Sequence, residues 1–134
     1  MMTKQEFRNY LSGGIHFLDG ATGSNLMLSG MPKGCCAEKW ILEHPQPLLA
    51  LQQGYAQAGS DIIYAPTFQA NPIALEKEGL ADKTEEINAR LIALSRQAAP
   101  DCLIAGDLAT LASHCDSWNP DNFEHLVAAY QRQI

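Results

Sequence analysis

The segment IHFLDGATGSN, residues 15–25, joins a short, mostly apolar run to a carboxylate and to a turn that contains two glycines. This pattern predicts a β-strand over residues 15–18, with Asp19 at its carboxyl end. Gly20 and Gly23 allow the chain to turn tightly and to bring its N–H groups close to a ligand. An acidic side chain beside free amides can hold an amino acid, with the ammonium on Asp19 and the carboxylate on the amides. These residues alone fit an ordinary strand-to-loop turn equally well.

Short apolar runs alternate with helical patterns along the rest of the chain. Residues 61–65 and 102–106 are predicted to form a second and a third strand, because short apolar runs are typical of parallel sheets buried on both faces. Strands separated by helices favour right-handed βαβ connections and a parallel sheet. Residues 21–44 are predicted to form one long loop. The chain is therefore predicted to have an α/β fold.

Capping residues mark the predicted helix starts. A capping box at residues 3–6 opens the first helix, and Asn71 followed by a proline opens a short one. Asp82 with Glu85 gives a second capping signal, which predicts a longer helix from this point. The last helix is predicted to begin at Asn119 and to have an apolar face of Phe123, Leu126, Val127 and Tyr130.

The composition limits the class of protein. The chain has 134 residues, of which 46% are apolar and 18% charged, and this is typical of one globular domain. A net charge of −6 argues against nucleic acid or an anionic membrane as the main partner. Residues 3–8 are polar where a signal peptide would be apolar, and no apolar stretch reaches the ~20 residues of a membrane span. The prediction is a cytoplasmic protein.

The cysteines are predicted to be reduced thiols, because no secretion signal precedes them. Cys102 lies in an apolar run and is expected to be a small buried side chain. The adjacent pair Cys35 and Cys36 is expected to line the mouth of a pocket or to pack, and a metal role for it is disfavoured. Cys115 follows His114 directly, which is not a typical zinc-ligand spacing.

Several blocks of the sequence, in the same order and spacing, resemble the homocysteine S-methyltransferase family. This family includes the homocysteine-binding domain of cobalamin-dependent methionine synthase and betaine–homocysteine methyltransferase. The resemblance covers about residues 17–130. The matching blocks are residues 19–23 (DGATG for the family's DGAxGT), 43–45 (EHP), 58–63 (AGSDII for AGADII), 67–71 (TFQAN for TFxAN), 86–88 (EIN) and 105–106 (AG).

The resemblance implies a (β/α)₈ TIM barrel with its site at the carboxyl ends of the strands. A complete barrel takes roughly 250 residues. Residues 1–134 are therefore expected to form the N-terminal part of a homocysteine-binding barrel, with about three βα units, and the chain ends inside a helical pattern as a truncated barrel would. The family usually has a Gly-Pro loop after the third strand, whereas this chain has Gly106-Asp107.

The resemblance also implies the chemistry of methyl transfer to homocysteine. In this family a zinc ion held by three cysteines binds the homocysteine sulfur as a thiolate, which attacks a methyl group on an onium or cobalamin donor. A metal lowers the pKa of a thiol from its ordinary value of about 8.5, so that the thiolate forms at neutral pH. The family's zinc cysteines lie on later strands, so no metal ligand is assigned in this chain.

Residues at two strand ends are predicted to bind the substrate. Asp19 would bind the substrate ammonium, the amides of Gly20 and Ala21 would bind its carboxylate, and Thr22 belongs to the same turn. The resemblance places a second group at the end of the second strand, and its members are Thr67, Phe68 and Gln69. A hydroxyl that caps its own turn is the alternative for the threonine, and a core contact is the alternative for the phenylalanine.

Two other functions are considered beside the methyltransferase. The first is a non-catalytic module that binds homocysteine or a related thiol amino acid and associates with another chain through its open sheet edges. The second is a phosphate- or nucleotide-binding protein that uses the glycines at positions 20 and 23. The latter is weakly supported, because no P-loop lysine follows and the G-x-G-x-x-G spacing is absent.

Overall fold

The protein contains a small parallel sheet of two strands with helices packed against it. The computed structural model describes residues 2–111 and 120–134. Strands β1 (Ile62–Tyr64) and β2 (Leu103–Ala105) pair in parallel along their whole length. They correspond to the second and third strands predicted from the sequence. The predicted α/β class with parallel pairing is therefore confirmed.

The predicted first strand is reduced to a single bridge. Leu18 pairs in parallel with Ile62, and the Asp19 N–H donates to the Ile62 carbonyl at 3.0 Å. The side chains of Ile15 and Phe17 remain 85% and 63% exposed. The prediction of a regular strand is wrong in extent, because within the described residues this segment has a neighbour on one side only.

Helices make up most of the remaining described residues. Two 3₁₀ turns, Glu76–Glu78 and Ala81–Lys83, lie between the helix that ends at Leu75 and the helix that begins at Thr84. No helix among the described residues is both long and apolar enough to cross a lipid bilayer. The helices are α1 (Lys4–Leu11), α2 (Gly23–Leu28), α3 (Ala37–Glu43), α4 (Pro45–Gln57), α5 (Pro72–Leu75), α6 (Thr84–Ala98) and α7 (Pro120–Gln133).

The prediction of one long loop over residues 21–44 is wrong, because α2 and α3 lie within it. Neither helix has a side-chain cap at its first turn, where Thr22 and Cys36 occupy the N-cap positions. Both helices instead bury an apolar side chain, Leu26 in α2 and Ile41 in α3, each 1% exposed. Tertiary packing stabilises short helices that have weak local signals.

Two of the predicted helix starts have the expected caps. The Thr3 hydroxyl accepts from the Glu6 N–H at 3.2 Å, and the Glu6 carboxylate accepts from the Thr3 N–H at 2.7 Å. The Asn71 side chain accepts from the Ala74 N–H at 2.9 Å. These local hydrogen bonds satisfy N–H groups that have no partner within the first turn of a helix.

The predicted cap at Asp82 is wrong. This residue lies inside the 3₁₀ turn Ala81–Lys83, and α6 begins two residues later, at Thr84, without a side-chain cap. The Thr84 hydroxyl donates to the Ala81 carbonyl at 2.7 Å, which joins the turn to the helix. The Glu85 carboxylate forms an ion pair with Arg132 of the last helix instead of completing a capping box.

The hydrophobic core is centred on the contact between α4 and α6. Leu48 in α4 and Leu91 in α6 are both 0% exposed. The Gln52 side chain of α4 also donates to the Tyr64 carbonyl at 2.9 Å, which fixes this helix against the end of β1. The core cluster consists of Leu26, Met31, Ile41, Leu48, Ala70, Leu75, Ile87 and Leu91.

Helix α7 packs on the rest of the protein through the buried Ala129 and through polar side chains. The predicted apolar face is wrong in part, because Phe123 and Val127 are 62% and 38% exposed. The Arg132 guanidinium donates to both carboxylate oxygens of Glu85, at 2.7 and 2.9 Å. It holds the pKa of Glu85 at about 2, below the ordinary value. The predicted start at Asn119 lies outside the described residues.

Candidate functional site

A cavity of about 660 Å³ opens at the carboxyl ends of the parallel segments. Its volume is in the range typical of sites for small molecules. The loops that follow residues 17–19, β1 and β2 all contribute to its wall, because parallel strands end at the same edge of a sheet. The predicted site residues that line it are Asp19, Gly20, Thr22, Phe68 and Gln69, whereas Ala21 and Thr67 lie outside the lining.

The Asp19 carboxylate is the most unusual polar group in the cavity. Its Oδ2 is buried and has no hydrogen-bond partner among the described residues. Burial raises the pKa of Asp19, hydrogen bonds from the backbone of Tyr64 and of Asp19 itself lower it, and the charge of Asp107 raises it further. A buried carboxylate oxygen without a donor is unfavourable unless a ligand supplies one. This oxygen is thus suited to bind a cation or a strong hydrogen-bond donor.

The charges around the cavity have one sign. Three carboxylates line it, those of Asp19, Glu38 and Asp107, and no Lys, Arg or His is present among its described lining residues. Several carboxylates in a partly apolar cavity attract a cationic group more strongly than the same carboxylates would in water. The electrostatics of the cavity therefore favour a ligand with an ammonium or another positive group.

The turn after the first parallel segment is held by a tyrosine of α4. The Tyr55 hydroxyl donates to the Ala21 carbonyl at 3.0 Å, and the Asn25 side chain donates to the same carbonyl at 2.6 Å. A Cβ on Gly20 would lie 2.8 Å from the Tyr55 hydroxyl oxygen. Neither Gly20 nor Gly23 has a positive φ. Gly20 is therefore required for close approach to the tyrosine rather than for a special backbone conformation.

Thr67 lies behind the cavity wall and joins two loops. Its side chain is buried, and its hydroxyl both donates to the Asp107 carbonyl and accepts from the Asp107 N–H, each at 2.9 Å. The Gln133 side chain donates to the Thr67 carbonyl at 2.6 Å. The alternative in which this hydroxyl caps its own turn is wrong, because its partner belongs to the loop after β2. Thr67 thus fixes the position of Asp107 at the cavity.

Phe68 and Gln69 form one side of the cavity. Phe68 is 49% exposed, so the alternative that it is a core contact is wrong. The Gln69 N–H donates to Oε1 of Glu38 at 2.8 Å. This hydrogen bond connects the loop after β1 with helix α3.

Two acidic residues of the cavity, Glu38 and Asp107, were not among the predicted site residues. Glu38 lies three residues before Ile41, so a helical reading of residues 37–43 would have placed both on one buried face. Asp107 follows β2 as Asp19 follows the first parallel segment. The convergence of parallel strand ends was therefore the signal that could have identified Asp107.

The cysteines do not converge on a metal site in the described part of the chain. Cys35 lines the cavity, and the Cys36 thiol donates to Oε2 of Glu38 at 3.6 Å. Burial raises the pKa of Cys36, and the charge of Glu38 adds to this effect. The Cys102 thiol donates to the Ser60 carbonyl at 3.1 Å and is only half-buried, whereas burial was predicted. Cys115 lies outside the described residues, among which no group of three metal-ligand side chains occurs.

An α/β protein with an acidic cavity at the carboxyl ends of its parallel strands belongs to a broad class of small-molecule-binding proteins and enzymes. The family model of homocysteine S-methyltransferase matches residues 16–134, so the chain belongs to this family.

Two solved structures have a similar fold. The metallated form of the homocysteine methyltransferase MmuM from Escherichia coli is 20% identical, with a TM-score of 0.78 over 95% of this chain and 51% of that chain. The oxidized form of the same enzyme is 18% identical, with a TM-score of 0.70 over 94% of this chain and 53% of that chain. The chain thus spans about half the length of these structures.

Substitution of Gly20 by alanine is predicted to destabilise the protein by about 1–3 kcal/mol, because the new methyl group would overlap the Tyr55 ring. Urea unfolding monitored by circular dichroism measures this change. Gly23→Ala is the matched control, since a Cβ there meets no atom within 4 Å. The double variant Gly20→Ala/Tyr55→Leu should recover part of the loss. Equal stability of the two glycine variants would contradict the prediction.

The stability of the wild-type protein is predicted to depend on the ionisation of Asp19. Burial raises its folded-state pKa above the unfolded value of about 3.9, so the folded state binds the proton more tightly and ionisation lowers the free energy of unfolding. This loss is absent below about pH 3.9 and grows as the pH rises through the folded-state pKa. Asp19→Asn should therefore be more stable than wild type at pH 7, with a difference that disappears in acid.

Urea unfolding of both proteins between pH 3 and pH 7 checks this dependence. The control is Asp101→Asn, which removes an exposed carboxylate at the amino end of β2, whereas the cavity lies at the carboxyl end. A stability difference for Asp19→Asn that is the same at pH 3 and pH 7, or that has the opposite sign at pH 7, would show that burial of the charge is not the dominant effect.

Proposed function

We propose that this chain contributes the amino-acid-binding part of the site in a methyltransferase that moves a methyl group to the thiol of homocysteine. The observation that carries the proposal is the buried Oδ2 of Asp19, which lacks a partner among the described residues and lines an acidic cavity. The primary ammonium of an amino acid supplies both the positive charge and the donors that this oxygen needs. Membership of the homocysteine S-methyltransferase family supports homocysteine as that amino acid.

Each predicted site residue has a role in this proposal. Asp19 binds the ammonium of homocysteine, and the amides of Gly20 and Ala21, in the turn that includes Thr22, bind its carboxylate. Two groups shape the opposite side of the pocket: Phe68 and Gln69 directly, and Thr67 through its hold on the loop of Asp107.

The fold proposed for the complete enzyme is a (β/α)₈ barrel, of which residues 1–134 form the N-terminal part. The parallel order of residues 17–19, β1 and β2 supports this arrangement, as does the similarity to about half of a larger structure. Phe17 and Leu18 are 63% and 50% exposed and would be covered by further strands.

The zinc ion of the family does not fit the cysteines of the described residues. The Cys36 thiol donates to a carboxylate, and the Cys102 thiol donates to a backbone carbonyl. Neither is arranged with other ligands as a zinc site requires. We propose that the metal of the complete barrel is held by residues outside this segment. The proposed methyl donor is a cobalamin or another methylated compound.

A second function has its own supporting observation. Residues 15–18 have exposed apolar side chains and an edge that is unpaired among the described residues, and both features suit association with another chain. In that case the protein binds homocysteine or a related thiol without catalysis and completes its sheet in an oligomer. A strictly monomeric species in light scattering would argue against this function.

Binding of L-homocysteine is predicted to depend on Asp19. Isotope-labelled protein is titrated with L-homocysteine, with 4-mercaptobutanoate, which lacks the ammonium, and with 3-mercaptopropylamine, which lacks the carboxylate. Amide shifts at residues 19–21 and 68–69 should respond most strongly to L-homocysteine. Asp19→Asn should weaken its binding about tenfold or more, because a charge-assisted hydrogen bond is lost.

Asp101→Asn is again the control and should bind like wild type. Equal binding of L-homocysteine and 4-mercaptobutanoate would contradict the assignment of the ammonium to Asp19. Absence of any shift near the cavity at millimolar ligand would contradict an amino-acid site in this segment.

The chain alone is predicted to show no methyl transfer and to retain no stoichiometric zinc, because the expected thiolate ligands belong to later strands. Elemental analysis after purification and an assay with homocysteine, zinc and methylated donors measure both properties. A Cys35→Ser/Cys36→Ser variant is the control for adventitious metal. About one zinc per chain that is lost in this variant, or turnover by the chain alone, would contradict the partial-barrel proposal.

A further inference from the structure

Glu38 is an unusual residue for the wall of a cavity. It is only 4% exposed, and no Lys, Arg or His forms an ion pair with it among the described residues. Removal of a carboxylate from water is costly unless hydrogen bonds or charges compensate for it. A carboxylate at this position therefore requires an explanation from its contacts.

The two contacts of Glu38 come from different parts of the chain. Its Oε1 accepts from the backbone N–H of Gln69 at 2.8 Å, across 31 residues. Its Oε2 accepts from the thiol of Cys36 at 3.6 Å. Cys36 lies just before α3. The first contact is a short hydrogen bond to an ionisable acceptor, the class of hydrogen bond that contributes most to stability. Glu38 thus joins helix α3 to the loop that follows β1.

The neighbouring backbone groups of this loop have other partners. The Ala70 N–H donates to the Thr67 carbonyl at 3.0 Å, and the Phe68 carbonyl accepts from the Ala109 N–H at 2.9 Å. The Gln69 N–H has Glu38 as its partner, and both residues line the cavity. The peptide between Phe68 and Gln69 is thus held on both sides, its carbonyl by the Ala109 N–H and its N–H by the Glu38 carboxylate.

We propose that Glu38 is a positioning residue for the substrate pocket: its carboxylate holds the Phe68–Gln69 wall at the distance from Asp19 that the ligand requires. The identity of the ligand as homocysteine rests on the proposed function. Glu38 acts through the backbone of Gln69, and the Cys36 thiol supports it as a second donor. Asp19 on the opposite side remains the group that binds the ammonium.

Two substitutions separate positioning from a direct electrostatic role. Glu38→Gln retains a carbonyl oxygen that can accept from the Gln69 N–H but removes the charge. Glu38→Met retains an unbranched side chain of good helix propensity but removes the acceptor. Positioning by hydrogen bonding predicts that the glutamine variant resembles wild type and the methionine variant does not. A direct charge–charge contact with the ligand predicts that both variants fail.

Amide hydrogen exchange of the chain, followed by NMR, tests the proposal without any ligand. The Gln69 amide should exchange about tenfold faster in Glu38→Met than in wild type, and within about threefold of wild type in Glu38→Gln. The amide of Ile63 in β1 is the internal reference for global stability. Unchanged exchange at Gln69 in Glu38→Met, or equal acceleration in both variants, would overturn the proposal.

A second measurement needs only the milder variant, in case Glu38→Met does not fold. The Gln69 amide proton should resonate further downfield in wild type than in Glu38→Gln, because a charged acceptor forms the stronger hydrogen bond. A Gln69 amide proton without a downfield displacement from its random-coil position in either protein would overturn the proposal.

Titration with L-homocysteine then tests whether the position of the Phe68–Gln69 wall affects ligand affinity. Glu38→Met should weaken binding about tenfold, and Glu38→Gln should restore most of the affinity. If exchange at Gln69 changes as expected but the wild-type chain does not bind homocysteine, the proposed function fails and the positioning contact stands. If binding occurs and both Glu38 variants retain wild-type affinity, the positioning role is overturned while the proposed function stands.

Discussion

The parallel alignment of residues 17–19 with β1, and of β1 with β2, is the constraint on which the rest of the structure depends. The hydrogen bond from the Asp19 N–H to the Ile62 carbonyl sets the register of the first pair. Because all three segments run in one direction, the loops that follow them meet at one edge of the sheet. The cavity and the contacts of Thr67 and Glu38 between these loops are consequences of that alignment.

The site that results is arranged at the expense of stability. Among the described residues, Asp19 has a buried oxygen without a partner, and Glu38 is buried without a cation beside it. Charged groups that are removed from water in this way lower the free energy of unfolding. Such groups are retained at functional sites, where a ligand later supplies the missing partner. The electrostatics of the cavity and the family membership of the chain both support the proposed ligand class, a small molecule with an ammonium group.

The elements that were predictable have local signals. The apolar runs of β1 and β2 are visible in the sequence, and so is the cap at Asn71, because each depends on residues within four or five positions. Helices α2 and α3 were missed because their stability comes from the burial of Leu26 and Ile41 against distant elements. At Asp82 a capping signal is present in the sequence, but the residue lies in a 3₁₀ turn and the helix begins two residues later. Local signals therefore identify an element only where no other local or distant contact competes with them.

The sequence by itself determined that Asp19 ends a parallel segment, that Phe68 and Gln69 follow another, and that the chain resembles one family. Only the tertiary structure decided that Thr67 turns away from the cavity and that Glu38 and Asp107 line it. The physical reason is sequence separation. The hydrogen bonds that make these assignments join residues 31 and 40 positions apart, and such contacts form only when the parallel strands have brought the loops together.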